Sequence, residues 1–136
     1  MRISSSNITS LKEGEVFVFG SNLAGIHGAG AARTARRWGA KMYNGKGLQG
    51  QTYAIPTKDS NIRTLDYHIV ESYVNEFIEF AKSHPELNFL VTEVGCGLAG
   101  FKVNEMAFLF REALDVKNIY LPIRFINDSI VSEGEG

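Results

Sequence analysis

Four short segments of the 136-residue chain are apolar without a polar break: Val16-Phe17-Val18-Phe19, Tyr53-Ala54-Ile55, Phe89-Leu90-Val91 and Ile119-Tyr120-Leu121. A strand with one wet face alternates apolar and polar residues. A run without alternation suits a strand covered on both faces, as in the middle of a parallel sheet. Between the second and third runs, Leu65, Ile69, Tyr73, Phe77 and Ala81 recur every four residues, and Val70, Val74 and Ile78 widen the stripe. This spacing predicts an amphipathic helix from Thr64 to Ser83, stopped by His84-Pro85 because the residue before a proline is driven out of the helical region. Further helices are expected from Ala29 to Trp38, ended by Gly39, and from Asn104 to Leu114, with Met106, Phe110 and Ala113 on one face. Strands and helices in strict alternation define an α/β fold with a mostly parallel central sheet and right-handed crossovers. The length fits one domain, read as residues 1–126, and the polar stretch 127–136 is expected to be a flexible tail.

Hydrophobic residues make up 44% and charged residues 21%, which excludes wholesale disorder and disulfide-dense scaffolds. Cys96 is the single cysteine, so no intramolecular disulfide or thiolate metal cluster can form. The three histidines, His27, His68 and His84, lack metal-ligand spacing, and neither a metal nor a cofactor is predicted. Met1 to Leu11 contains no apolar signal core, and no run approaches the roughly 18 apolar residues of a membrane span. A cytoplasmic protein without a membrane partner is expected.

Glycine is abundant, with 14 in the chain, and its placement is informative. The first apolar run leads into Gly20-Ser21-Asn22-Leu23-Ala24-Gly25-Ile26-His27-Gly28-Ala29-Gly30. In a parallel sheet this is the carboxyl end of a strand, where ligands bind. Glycines there let backbone N–H groups approach a phosphate or diphosphate. The same glycines would also serve a plain strand-to-helix turn, and the spacing matches neither the dinucleotide fingerprint nor a P-loop. Charge distribution favours the anionic ligand. The net charge is only -1, yet Val16 to Lys58 holds no acid and six cations: Arg33, Arg36, Arg37, Lys41, Lys46 and Lys58. Arg33 and Arg37, one turn apart, also fit a solvated face.

The third run ends in Thr92-Glu93-Val94-Gly95-Cys96-Gly97-Leu98-Ala99-Gly100-Phe101. Two glycine-rich loops at one edge of a parallel sheet can close on one ligand. The segments His27-Gly28-Ala29-Gly30-Ala31-Ala32, Tyr53-Ala54-Ile55-Pro56-Thr57-Lys58 and Val94-Gly95-Cys96-Gly97-Leu98 resemble the macrodomain superfamily, over about residues 15 to 122. The likeness is greatest to its terminal ADP-ribose glycohydrolase branch and the related antitoxins that remove ADP-ribose from DNA. The resemblance implies a three-layer α/β/α fold with ADP-ribose, or an ADP-ribosylated macromolecule, as partner. It also implies a diphosphate held between the loops and a distal ribose touched by Asn22. On this reading the ligand-binding residues are Gly20, Ser21, Asn22, Gly25, His27, Gly28, Ala29, Gly30, Thr57, Gly95, Cys96, Gly97, Leu98, Ala99, Gly100 and Phe101. Lys58 takes the place of the branch's lysine, which attacks the anomeric carbon of the distal ribose. Ala99 stands where the branch has its assisting acid, which leaves Glu93, Asp59 or His27 as substitutes and a non-catalytic nucleotide-binding module as the alternative.

His27 suits either a ligand contact or a local turn hydrogen bond, and Phe101 either a ribose wall or the core. Cys96 has no activating partner in the sequence, so a catalytic thiol is not expected. Gly45 to Gly50 reads as a flap over the ligand or a plain connection, and Trp38 as a packing anchor. Direct nucleic-acid binding is not expected except as a modified substrate, because the basic stretch lacks interleaved aromatics.

Overall fold

A computed structural model of the chain describes residues 2–135. The elements, in chain order, are β1 (Ile3–Ser4), β2 (Glu15–Asn22), α1 (Gly30–Ala35), β3 (Gly47–Gln49), β4 (Thr52–Lys58), α2 (Tyr67–Lys82), β5 (Asn88–Val91), α3 (Val103–Leu109), β6 (Ile119–Pro122) and α4 (Ile123–Glu135). The strands form a six-stranded sheet in the order β1-β6-β5-β2-β4-β3. All pairings are parallel except the antiparallel edge pair β3 and β4. The four uninterrupted apolar runs are β2, β4, β5 and β6, as their lack of alternation requires.

Because strand side chains alternate, β2 serves two cores. Val16 and Val18 face one that also contains Val70, Val74, Phe77 and Ile78 of α2, Met106 of α3 and Phe125 of α4. Phe17 and Phe19 face a smaller one with Ala35, flanked by Ala31, Ala32 and Trp38. Helices thus cover both faces of the sheet, giving the three-layer α/β/α arrangement. Alanines on α1 let this short helix lie close to the two phenylalanines, and the Trp38 ring packs 5.0 Å from that of Phe17.

Three differences from the sequence reading have local causes. α2 begins at Tyr67 rather than Thr64 because Thr64 bridges Lys58 and the Leu65 N–H donates to Thr57 O at 2.9 Å, so both extend the sheet edge. The expected 29–38 and 104–114 helices each tighten into a 3-10 turn, at Arg36–Trp38 and Arg111–Asp115. Gly39 closes the first with a φ of 110°. The expected tail 127–136 instead continues α4 as far as Glu135, and Gly136 lies outside the described residues. Phe125 stacks on Phe110 with centroids 5.4 Å apart, and buried Ser129 donates to Ala107 O at 3.1 Å, so residues 123–129 of this helix are docked. No helix among the described residues is long and apolar enough to cross a membrane.

Candidate functional site

The carboxyl ends of β2, β4 and β5 are adjacent in the sheet, and the two glycine loops leave from two of them. Their junction is tight. A Cβ on Gly20 would stand 3.3 Å from Gly95 N, 3.5 Å from Val94 Cγ1 and 3.6 Å from Thr57 Oγ1. A side chain at position 20 would press on the Gly95 backbone and touch the ends of β4 and the second loop. Gly95, at φ +80°, faces the Met106 thioether, whose sulfur would lie 3.0 Å from an added Cβ.

Beyond this junction the loops expose donors. Among the described residues, the successive backbone N–H groups from Gly28 to Ala32, the last three of them in the first turn of α1, have no protein hydrogen-bond acceptor, and neither do those of Gly97, Leu98 and Ala99. Buried backbone donors are almost always paired, and accessible unpaired ones in series form a concavity suited to an anion. Gly28 and Gly97 sharpen the point. Neither has a positive φ, Gly97 has nothing within 4 Å of an added Cβ, and Gly28 has only an Ile26 methyl at 3.9 Å. The fold leaves room for a side chain at both positions.

Next to the loops lies a cleft of about 840 Å³, bordered by Ala31 and Thr34 of α1 on one side and Cys96 and Gly97 on the other. This volume falls within the range of small-molecule sites. The cleft runs on to Ser4 through Ile8, Thr92, Glu93 and Arg124. The sequence reading missed the N-terminal segment and Arg124, because neither carries a periodic or glycine signal. Arg124 donates to Glu93 through Nε and Nη2, both at 2.6 Å. This hydrogen-bonded guanidinium holds the Glu93 carboxyl below its ordinary value, against a weaker effect of burial. A second concavity of about 480 Å³ lies at the amino ends of the strands, beside Glu13 and Glu15. It is bordered by neither glycine loop.

Several side chains expected at the ligand are turned inward. Asn22 accepts from Ile26 N–H at 3.0 Å and donates to Ile26 O at 2.9 Å, so its amide brackets the loop. Ser21 Oγ donates to Gly45 O, and Thr57 Oγ1 to Ser21 O at 3.2 Å. Gly25, at φ +70°, has no room for a Cβ against the backbone of Tyr43 and Asn44. His27 is fully buried and its Nε2 bonds Asn44 O at 3.0 Å. Phe101 packs on the larger core beside Tyr67, ring centroids 6.1 Å apart. These residues shape the loops from behind. Gly28, Ala29, Gly30, Gly97, Leu98, Ala99 and Gly100 remain accessible to varying degrees, Leu98 at 78% exposure.

Lys58 ends β4, in register with Asn22, and its carbonyl accepts from Leu23 N–H at 2.9 Å. The loop after it is fastened to the second glycine loop by Thr64 Oγ1, which donates to Ala99 O at 2.9 Å. Lys58 therefore stands where the three loops are tied together, and it is not among the residues that line the 840 Å³ cleft. The substitute acids are otherwise engaged. Asp59 accepts from the N–H groups of Asn61 and Arg63 at 2.8 and 3.0 Å, and Glu93 is held by Arg124. Burial pushes the Cys96 thiol up to about 11, so it stays protonated near neutrality. Of the basic stretch, Lys46 turns away to Glu76 of α2 at 3.4 Å. Among the described residues, no group of three His, Cys, Asp or Glu side chains could hold a metal ion.

No family profile matches the sequence, and no curated protein is significantly similar to it. Among solved structures, a protein of unknown function from Bacteroides thetaiotaomicron superposes with a TM-score of 0.59 at 19% identity, covering 88% of this chain and 93% of that one. The likeness extends to the fold.

Proposed function

We propose that this protein binds ADP-ribose or a close derivative and hydrolyses an ADP-ribosyl linkage. The supporting observation is the meeting of two glycine loops, each with unpaired N–H donors, beside a cleft of about 840 Å³ bordered by the second loop and by α1, the helix that follows the first. Donors in series suit a diphosphate, and the cleft has room for the attached nucleoside. In the hydrolytic step, Lys58 Nζ attacks the anomeric carbon of the distal ribose. The amine attacks in its neutral form, the bond from that carbon to the acceptor breaks with its electron pair leaving on the acceptor, which takes a proton from solvent, and water then displaces the lysine and gives up a proton to solvent.

A second reading, a module that holds the nucleotide without turnover, is favoured by one arrangement. Ala99 supplies no carboxylate, and Glu93, Asp59 and His27 are all bonded elsewhere. Release of ADP-ribose from modified protein and modified DNA, measured with wild type and Lys58→Ala, separates the readings. Turnover abolished by the substitution supports the lysine mechanism. Binding without turnover in the wild type supports the second reading.

A further inference from the structure

We infer that His27 and Gln49 are positioning residues that hold the first glycine loop open for an anion by clamping one carbonyl, Asn44 O, behind it. The inference rests on the proposed diphosphate role of that loop. Asn44 O accepts from His27 Nε2 at 3.0 Å and from Gln49 Nε2 at 2.9 Å. Both side chains are buried, His27 at 0% and Gln49 at 3% exposure. Gln49 comes from β3, on the strand edge, and its Oε1 accepts from Lys41 N–H at 2.8 Å, so one amide spans both ends of the 41–44 turn.

Three features bind that turn to the back of the glycine loop. Tyr43 N–H donates to Gly25 O at 2.8 Å, and Ser21 Oγ donates to Gly45 O. At both Gly25 and Gly45 an added Cβ would strike backbone, that of Tyr43 and Asn44 in one case and of Asn22 in the other. Tyr43 itself sits at φ 70°, an uncommon conformation for a residue with a side chain. The Gly45–Gly50 segment is thus a buttress rather than a flap.

The need for a buttress follows from the donors. A loop whose N–H groups are unpaired gains by relaxing to pair them internally, and pre-organised donors bind an anion only if something resists that relaxation. His27 carries a visible cost for doing so. Since Nε2 donates to a carbonyl, the neutral ring leaves Nδ1 as an acceptor, and Nδ1 is buried without a partner among the described residues. The ring packs edge-on to Phe19 at 5.3 Å. An orphaned buried nitrogen is unfavourable, and the Nε2 bond to the buttress is what the imidazole supplies in return.

The test uses the full chain with Gln49→Met, His27→Leu and His27→Gln, the last retaining a donor near the Nε2 position. ADP-ribose and adenosine affinities are measured by titration, and backbone order parameters for residues 26–32 by NMR relaxation. Gln49→Met and His27→Leu are expected to weaken ADP-ribose by about tenfold or more while leaving adenosine, which lacks the diphosphate, little changed. His27→Gln is expected to recover most of the loss, and the order parameters should fall only in the first two variants. Folded Gln49→Met and His27→Leu proteins with wild-type ADP-ribose affinity and wild-type order parameters would overturn the inference. A wild type that binds no ADP-ribose would instead overturn the proposed ligand, and the order parameters would still decide whether the clamp holds the loop.

Discussion

Gly97→Val separates what the fold needs from what a ligand needs. Position 97 is exposed and borders the cleft, its φ is not in the left-handed region, and nothing lies within 4 Å of an added Cβ. On folding grounds the substitution is harmless. Removing the unfolded chain's glycine freedom contributes roughly 0.4–1 kcal/mol of stability where the native conformation is compatible. Binding is another matter. A net charge-assisted hydrogen bond is worth about 1.5–3 kcal/mol, so an isopropyl group that displaces a diphosphate oxygen from one N–H donor lowers affinity by about 10- to 150-fold. Gly100→Ala is the contrasting control, since that site is equally open but at φ +82°, where strain alone destabilises. The assay pairs thermal melting with calorimetric titration of ADP-ribose. A Gly97→Val protein that melts at or above wild type and binds as tightly would refute the placement of the diphosphate against the second loop.

Cys96, with its thiol pushed up to about 11, should carry roughly two hundredfold less thiolate at pH 8 than a free cysteine of ordinary pKa, and its reaction with iodoacetamide should be slower by about tenfold or more. Its rate should climb with pH toward that value, and a fast rate at pH 8 would contradict the burial argument. Glu93, depressed from 4.5 by its Arg124 hydrogen bonds, gives a pH signature. Its contribution to stability is complete above the ordinary carboxylate value and lost as pH falls through the lower folded value. Wild type should therefore melt slightly above Glu93→Gln at pH 7, and the gap should close in acid and shrink in high salt. A gap that widens in acid would reverse the sign of the coupling. Phe77→Ala, which empties a fully buried site packed against Tyr53, Phe89 and Phe110, should cost about 3–5 kcal/mol by chemical denaturation. A loss below about 1 kcal/mol would show that the larger core collapses around the gap.

The parts legible in the sequence are those whose signal is local and repeated. Val16 to Phe19 reads as a doubly covered strand because valines and phenylalanines serve opposite faces, and the structure divides them that way. The α2 stripe is equally plain, although Ile69, part of the four-residue repeat, is 43% exposed and the buried line runs through Val70, Val74, Phe77 and Ile78. β1 and β3, of two and three residues, are too short for any period to register. The strand order depends on which runs pair across long sequence separations, and no local pattern carries it.

At the site, glycine spacing located both loops, but it could not distinguish glycines that pack from glycines that leave space. Gly25 and Gly45 are required by neighbouring backbone, whereas Gly28 and Gly97 are not. The same limit applies to polar residues. Asn22, Ser21 and His27 look like ligand contacts in a one-dimensional reading, and each is bonded to a partner from 4 to 24 positions away. The Glu93 and Arg124 pair, 31 residues apart, becomes visible only when β5 and β6 lie side by side.

The most direct test of the account is calorimetric titration of the wild-type protein with ADP-ribose, alongside adenosine and inorganic pyrophosphate. Two donor loops beside a nucleoside-sized cleft predict saturable binding of ADP-ribose, tighter than either fragment. Absence of binding at millimolar ADP-ribose, from a protein that is folded by the same preparation's melting curve, would contradict it.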